Sequence, residues 1–471
     1  MADSQTSRKR PKSGSDRNSK RSCLLTSRSI NIPIMPKKEV AAITVPFSEA
    51  AERLSHVMDT YGIAMVTGCV DAAKLKQLEA LFRDDLEQLL AMPRAQASTP
   101  DLPAHGKEVI QCAGLKKNGE RCTLTSKHVG ILAQKSRPLR NGSRFCAAHA
   151  PAIESSLCDL DAKPRVGPPL QLSEWPLDSL SELGTGERCS QRGLPQGKFA
   201  WACRCLDSAK RLYEILHGTG DLVIGLDNTF FVPESAPIQT KNREWPHVDQ
   251  NFNCGAKFKD MDCYQSVLYI WPSTAEHAST TVVWPKSHKE VHAQMMKDAE
   301  CSSRTHFVEI RSLSESLQEE LLPRWRSEAR RVPVPAGAVL LWNSRIVHQG
   351  WSGGPRLAQP ICWEPRSRRD DAAFERKLRL CALGLPSTHW ASLGFPHSML
   401  GGVRLPLLRT ISIAGQALAL RPTLEGKPLS EGTSAHSAWT QFAEASWKKP
   451  LEKTLRSALE KCICEDIRAV L

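Results

Sequence analysis

Trp245-Pro246-His247-Val248-Asp249 is the stretch on which the reading of this 471-residue chain turns. Alternate side chains of an extended strand leave from the same face, so a His-x-Asp triplet aims an imidazole and a carboxylate at one point. A third donor stands 99 residues beyond Asp249, at His348, shortly after the apolar run Ala338–Trp342. Two imidazoles and a carboxylate on one face of a metal leave the opposite coordination positions open. Non-haem Fe(II) sites use that arrangement to take O2 and a second ligand together.

The residues after His348 extend the pattern. Gly350-Trp351-Ser352-Gly353-Gly354-Pro355 has turn composition, and Arg356 then opens the strand-like run Leu357–Trp363. A guanidinium at that place matches the distal carboxylate of 2-oxoglutarate in bidentate fashion. Gln265 and Tyr269 alternate on the run Cys263–Trp271 and are candidates to line the same co-substrate pocket; both also suit ordinary inward-facing sheet positions. Trp245, Trp342 and Trp351 flank the ligand candidates, and core packing is the expected role of at least two of them. His288 and His292 lie near in sequence but belong to a turn and are not expected to be ligands.

With these pieces in place, the chain resembles the phytanoyl-CoA dioxygenase-like branch of the Fe(II)/2-oxoglutarate oxygenases. The resemblance rests on His247-Val248-Asp249, on Val282-Val283-Trp284-Pro285-Lys286-Ser287-His288-Lys289, on Pro335-Ala336-Gly337-Ala338-Val339-Leu340-Leu341-Trp342-Asn343, and on His348 and Arg356. It covers roughly residues 46–92 and 200–366. Lys286 stands where the family usually has Gly, Ala338 where it often has Asp, and the turn from His348 to Arg356 is shorter than usual. The resemblance implies a double-stranded β-helix (jelly-roll, cupin-like) core and Fe(II) held by His247, Asp249 and His348. It also implies 2-oxoglutarate and O2 as co-substrates, with oxidative decarboxylation coupled to hydroxylation of a C–H bond. An acid at 249, rather than Ala or Gly, favours hydroxylation over halogenation, which needs that coordination position free.

A second constellation is Cys112, Cys122, Cys146 and His149, spaced C-x9-C-x23-C-x2-H. Three thiolates and one imidazole make a closed tetrahedral set of the structural Zn(II) type; His128 is an alternative fourth ligand. The surrounding residues resemble a small zinc module of the form C-x-G-x-x-K-x-G-x-R-C … C-x-x-H. Lys116, Lys117, Arg121, Arg137, Arg140 and Arg144 decorate it, which suits phosphate contact without sequence reading and equally suits a protein docking face.

Charge is unevenly placed. Residues 1–40 hold ten Lys/Arg against three Asp/Glu, and residues 107–147 nine against two, so these two segments exceed the whole net charge of +13 and leave the rest near neutral. Such segments suit nucleic acid or another polyanion. Arg8-Lys9-Arg10-Pro11-Lys12 with Lys20-Arg21 reads as a two-part nuclear import signal, the protein otherwise being cytoplasmic. No run is long and apolar enough for a membrane span, the N-terminus lacks a signal-peptide pattern, and the sixteen cysteines read as reduced thiols or metal ligands rather than a disulfide framework.

The expected class is mainly β with flanking helices (α+β). Expected units are a disordered basic tail (1–40), an N-terminal helical part of the catalytic fold (41–107), the zinc insertion (108–150), a linker (151–198), the β core (199–370) and a C-terminal helical extension (371–471). Within them the periodicities predict a helix capped at Ser48, a strand Ile63–Val66, a helix capped at Asp71 and another from Phe199 to about His217. Strands are expected at Asp221–Val232, Cys263–Trp271, Thr280–Trp284, Ala338–Trp342 and Leu357–Trp363, and a further helix at Asp370–Leu383. His389 and His397 flank a segment placed to cover the pocket mouth, with a structural role expected. The substrate expected first is one attached to nucleic acid or chromatin. The rivals are a lipid or metabolite hydroxylase and a non-catalytic nuclear binding protein; oligomeric state is not legible.

Overall fold

The structure, a computed structural model, describes residues 29–91, 184–185, 187–189, 193–255, 258–259, 261–303, 305–382 and 386–393. Its architecture follows from a period-two alternation along the strands. In Tyr264–Tyr269, Val267 and Tyr269 point to an interior shared with Val283, Leu340, Trp342 and Ala358, whereas Tyr264 and Leu268 pack outward against helices. Strands apolar on both faces need cover on both, and each side here has it.

Eight core strands run in chain order as Thr229–Val232, His247–Val248, Tyr264–Tyr269, Thr280–Val283, Arg330–Arg331, Val339–Asn343, His348–Trp351 and Arg356–Pro360. The first, third, sixth and eighth join one sheet, and the second, fourth, fifth and seventh join another. All of these core pairings are antiparallel. Strands that alternate in this way between two facing sheets form a double-stranded β-helix, the jelly roll, and with the helices around it the fold is α+β. The first sheet extends at one edge through Ile63–Thr67 and Thr44–Pro46, and at the other through Arg188–Cys189 and Gly184–Thr185. Val308–Glu309 extends the second sheet beside His247–Val248.

The outer face of the larger sheet is covered by the helices Ala50–Tyr61, Ala72–Ala91, Lys198–Arg204 and Asp207–His217. Leu54, Val57 and Met58, then Leu78, Phe82 and Leu86, are the buried stripes that helical spacing predicts. Glu290–Lys297 and Glu315–Glu328 cover the smaller sheet through Val291, Met295, Leu321 and Trp325. Among the described residues no helix is long and apolar enough to cross a membrane.

Several boundaries differ from expectation. Residues 29–40 are folded rather than tail: Ser29–Ile30 pairs with Asn242–Arg243, and Ile30, Ile32 and Met35 are buried. The basic count of the region hides that apolar alternation. The run Asp221–Val232 splits into Leu222–Ile224 and Thr229–Val232, which lie in different sheets. Gly225 marks the break, since a Cβ there would lie 2.8 Å from the His389 carbonyl oxygen. Leu357–Trp363 likewise divides into Arg356–Pro360 and Trp363–Pro365, and Phe199–His217 into Lys198–Arg204 and Asp207–His217, with Leu206 extended between them. Two short strands, Gly184–Thr185 and Arg188–Cys189, occupy what composition marks as linker. The zinc-module residues Cys112, Cys122, Cys146 and His149, the import-like cluster and His397 lie outside the described residues.

The Pro285-Lys286-Ser287-His288 turn holds its second residue in a conformation that glycine adopts most readily. Lys286 has φ 68°, the left-handed region. Its ammonium lies 5.4 Å from the centroid of the Tyr61 ring and its N–H donates to the Tyr61 carbonyl, contacts that glycine could only half supply.

Candidate metal centre

The second sheet brings the ligand candidates together through register. His247 and His348 are directly opposed across adjacent antiparallel strands, so their side chains leave the same face side by side. Their ring centroids are 4.4 Å apart. Asp249 follows two residues after His247 and reaches the same spot. Its Oδ2 is 3.2 Å from His348 Nε2, and its Oδ1 is 3.7 Å from His247 Nε2. One donor atom from each residue lies within 4.8 Å of the others, and all three residues are buried.

Backbone carbonyls fix how the imidazoles present themselves. His247 Nδ1 donates to the Trp245 carbonyl (3.1 Å) and His348 Nδ1 to the Ile346 carbonyl (3.0 Å). A carbonyl can only accept, so Nδ1 of each ring carries a proton and Nε2 is the nitrogen turned towards Asp249. That is the orientation a metal requires. Burial, helped by neighbouring His348, pushes the His247 imidazole down to about 3, which keeps it neutral near pH 7. Burial works to raise the Asp249 carboxyl, but the imidazoles of His389, His247 and His348 outweigh it and hold it well below the ordinary carboxylate range. Two imidazole nitrogens and one ionised carboxylate therefore converge.

A second layer holds this geometry. Gln265 Nε2 donates to Asp249 Oδ2 at 2.9 Å and to Ser344 Oγ at 3.3 Å. The Ser344 carbonyl accepts from the N–H groups of Asp249 and Gln250. Gln349, next to His348, accepts from the Trp245 N–H and donates to the Arg243 carbonyl. Glu244 has no exposed side-chain surface; it accepts from Arg326 Nε and Nη2 at 2.8 Å each and from Arg311 Nη2 at 2.7 Å. Ser287 Oγ accepts from the Val347 N–H, tying the Pro285–His288 turn to the strand that carries His348. His288 and His292 are not in the cluster: His288 Nε2 bonds the Asp59 carbonyl, and His292 Nε2 the Gln250 carbonyl.

Arg356 enters the same interior from the larger sheet, 4% exposed. Its guanidinium carbon lies 4.2 Å from the Phe230 ring centroid and 5.3 Å from that of Tyr269. Nη2 donates to the Tyr269 hydroxyl at 3.2 Å, and that hydroxyl lies 3.2 Å from Thr281 Oγ1. Nη1 pairs with Glu187 Oε2 at 3.2 Å. Buried Nε has no partner among the described residues. Of the two candidate lining residues, Tyr269 therefore meets Arg356, whereas Gln265 meets Asp249.

The tryptophans divide. Trp245 stacks on the His247 ring at 4.5 Å, Trp342 lies 5.5 Å from His348, and Trp351 is buried on the outer face of the second sheet. A group that sequence reasoning missed borders the ligands: Phe307 sits edge-on to His247, and His306 lies 6.4 Å from both His389 and Trp390. Burial lowers the pKa of His306, and takes that of His389 to about 4. His389 had only a structural role in the sequence reading, since its approach to Asp249 depends on tertiary contacts. Thr281 was legible in principle, because it shares the inward phase of Val283.

No protein-family model matches the chain, and no curated protein matches it in sequence. Similar solved structures include the epimerase SnoN in complex with Fe3+, alpha ketoglutarate and nogalamycin RO, at 14% identity, covering 68% of this chain and 85% of that one, with a TM-score of 0.29. EctD from S. alaskensis with bound Fe is similar at 11% identity, covering 73% and 82%, with a TM-score of 0.31. The EctD apoform gives 12%, 81%, 95% and 0.33. At such scores these likenesses carry no argument about fold or activity.

Proposed function

We propose that this chain is an Fe(II)/2-oxoglutarate-dependent dioxygenase that hydroxylates a C–H bond. One observation carries the reading: His247, Asp249 and His348 converge within 4.8 Å inside a double-stranded β-helix whose interior also holds a buried arginine whose Nε has no partner among the described residues. The donor set fits divalent iron, with two imidazole nitrogens and one carboxylate oxygen on one face. Iron and 2-oxoglutarate, when bound, supply O2 activation coupled to oxidative decarboxylation to succinate and CO2.

The chain's own residues do the rest. The Trp245 and Ile346 carbonyls hold the Nδ1 protons and turn both Nε2 atoms to the ligand position, and Gln265 orients the Asp249 carboxylate. Arg356 and Tyr269 offer N–H and O–H donors for a distal carboxylate, held in place by the Phe230 face. Trp245, Trp342 and Phe307 exclude water around the ligand rings.

For the substrate, the basic segments 1–40 and 107–147 favour a C–H bond carried on nucleic acid or chromatin, with residues 8–21 as a nuclear address and Cys112, Cys122, Cys146 and His149 holding a structural Zn(II). The near-neutral remainder favours the rival, a small lipid or metabolite. The test is anaerobic loading with Fe(II), then succinate release and O2 uptake with DNA, RNA and a metabolite panel. Stoichiometric succinate that vanishes in Asp249→Ala establishes the class, and the coupled substrate selects between nucleic acid and metabolite. No succinate in any arm, from protein shown to carry iron, returns the chain to a non-catalytic binding role.

A further inference from the structure

Arg356, the residue offered to the co-substrate, is already engaged by a carboxylate of its own chain. Glu187 Oε2 pairs with Nη1 at 3.2 Å, while Oε1 accepts from Ser279 Oγ at 2.7 Å. Both partners are sheltered, with 13% of the Glu187 side chain and 4% of the Arg356 side chain exposed. The position of Glu187 is built rather than incidental. Its carbonyl accepts from the Phe231 N–H at 2.9 Å, and the next residues, Arg188–Cys189, pair with Thr229–Val232 at the edge of the larger sheet. That edge pairing lies outside the eight strands needed to close the jelly roll, and it delivers one acid to one arginine.

We propose that Glu187 is a built-in competitor for the co-substrate's distal carboxylate and sets its affinity low, an inference that rests on the Fe(II)/2-oxoglutarate reading. The guanidinium has one positive charge, which Glu187 neutralises. A dicarboxylate bound there with Glu187 in place would leave two carboxylates on one cation in a buried setting, where like charges a few ångströms apart repel strongly. The incoming carboxylate must therefore displace Glu187 from Arg356 or bind against its field. Either route lowers affinity for a 2-oxo diacid and leaves a 2-oxo monoacid unaffected, because the monoacid does not reach the arginine. The opposing possibility is that Glu187 merely orients Arg356. That contribution is the smaller one, because Phe230, Tyr269 and the Tyr269 hydroxyl already hold the guanidinium.

The test is equilibrium binding of 2-oxoglutarate and of 2-oxobutyrate, which lacks the distal carboxylate, to the full chain loaded with Fe(II) under anaerobic conditions. Wild type, Glu187→Gln and Glu187→Ala are compared by calorimetric titration, with thermal unfolding confirming that each variant is folded. The Kd for 2-oxoglutarate is expected to fall about tenfold or more in both variants, while that for 2-oxobutyrate stays within about twofold. Unchanged or weaker 2-oxoglutarate binding by the folded variants overturns the proposal. A parallel gain for 2-oxobutyrate overturns it too, because the effect would not then act through Arg356. If wild type and both variants bind neither acid, the oxygenase reading itself fails; if wild type binds 2-oxoglutarate and the variants match it, only the role of Glu187 fails.

Discussion

Replacing Gln265 with leucine should weaken metal binding while leaving the fold in place. The amide Nε2 gives Asp249 Oδ2 a bond of 2.9 Å in a site where Gln265 is 5% exposed, so water cannot take over the donor's role. A hydrogen bond to a charged group contributes about 1.5–3 kcal/mol, and loss of such an orienting partner typically lowers metal affinity by about 10–100-fold. Leucine has similar volume, so the cavity contribution is small, and Ser344 Oγ loses only a 3.3 Å contact. Gln265→Glu should be worse, because it places a second carboxylate against Asp249. The assay is anaerobic Fe(II) titration against a competing chelator, with thermal unfolding in parallel. An affinity of Gln265→Leu within about threefold of wild type would refute the claim that Gln265 orients the carboxylate ligand.

Glu244→Gln keeps the shape of a buried acid and removes its charge from two arginines. Because Arg311 and Arg326 are themselves 27% and 41% exposed and can be rehydrated, the loss in chemical denaturation should be about 2 kcal/mol rather than the larger figure for a fully buried pair; a change under about 0.5 kcal/mol contradicts the anchoring role given to it. Gly62→Ala should destabilise by about 2 kcal/mol or more, since Gly62 caps Ala50–Tyr61 at φ 72° and a Cβ would collide with the His288 ring at Nδ1. Thermal unfolding equal to wild type would contradict the packing described for that turn. Burial pushes His292 down to about 4 from an ordinary 6.5, so the unfolded chain takes up a proton that the fold refuses. Stability from this residue is complete above about pH 6.5 and declines by roughly 3 kcal/mol as pH falls towards 4. His292→Gln, which keeps a donor for the Gln250 carbonyl, should flatten that slope in urea unfolding of metal-free protein; an unaltered slope removes His292 from the account.

The longer strands were legible as short apolar runs bounded by turn residues, their closure into a jelly roll only through the family resemblance, and the His-x-Asp triplet because alternate residues of an extended chain share a face, although the strand itself ends at Val248. That His348 lies opposite His247 is a matter of register between segments a hundred residues apart, which spacing can propose but not set. Arg356 was visible as a strand-opening arginine, but its partner Glu187 was not, since it lies in a stretch whose Pro, Ser and Gly content reads as linker. His306 was unmarked, and His389 was expected to be structural at the pocket mouth, because only folding brings their loops beside Asp249. The break at Gly225 depends on the close passage of the His389 backbone, and no local propensity reports it. The minor-sheet strands Val308–Glu309 and Arg330–Arg331 are two residues each, too short for periodicity to show.

The most direct test is the stoichiometry of Fe(II), or Mn(II) as a redox-stable substitute, bound by the full chain in equilibrium dialysis after zinc is measured separately. One equivalent is predicted for wild type, with loss of that equivalent in His348→Ala and Asp249→Ala and its retention in His288→Ala. Wild-type protein that takes up no such metal, or a His348→Ala variant that keeps the full equivalent, would contradict the convergence of His247, Asp249 and His348 on one ion.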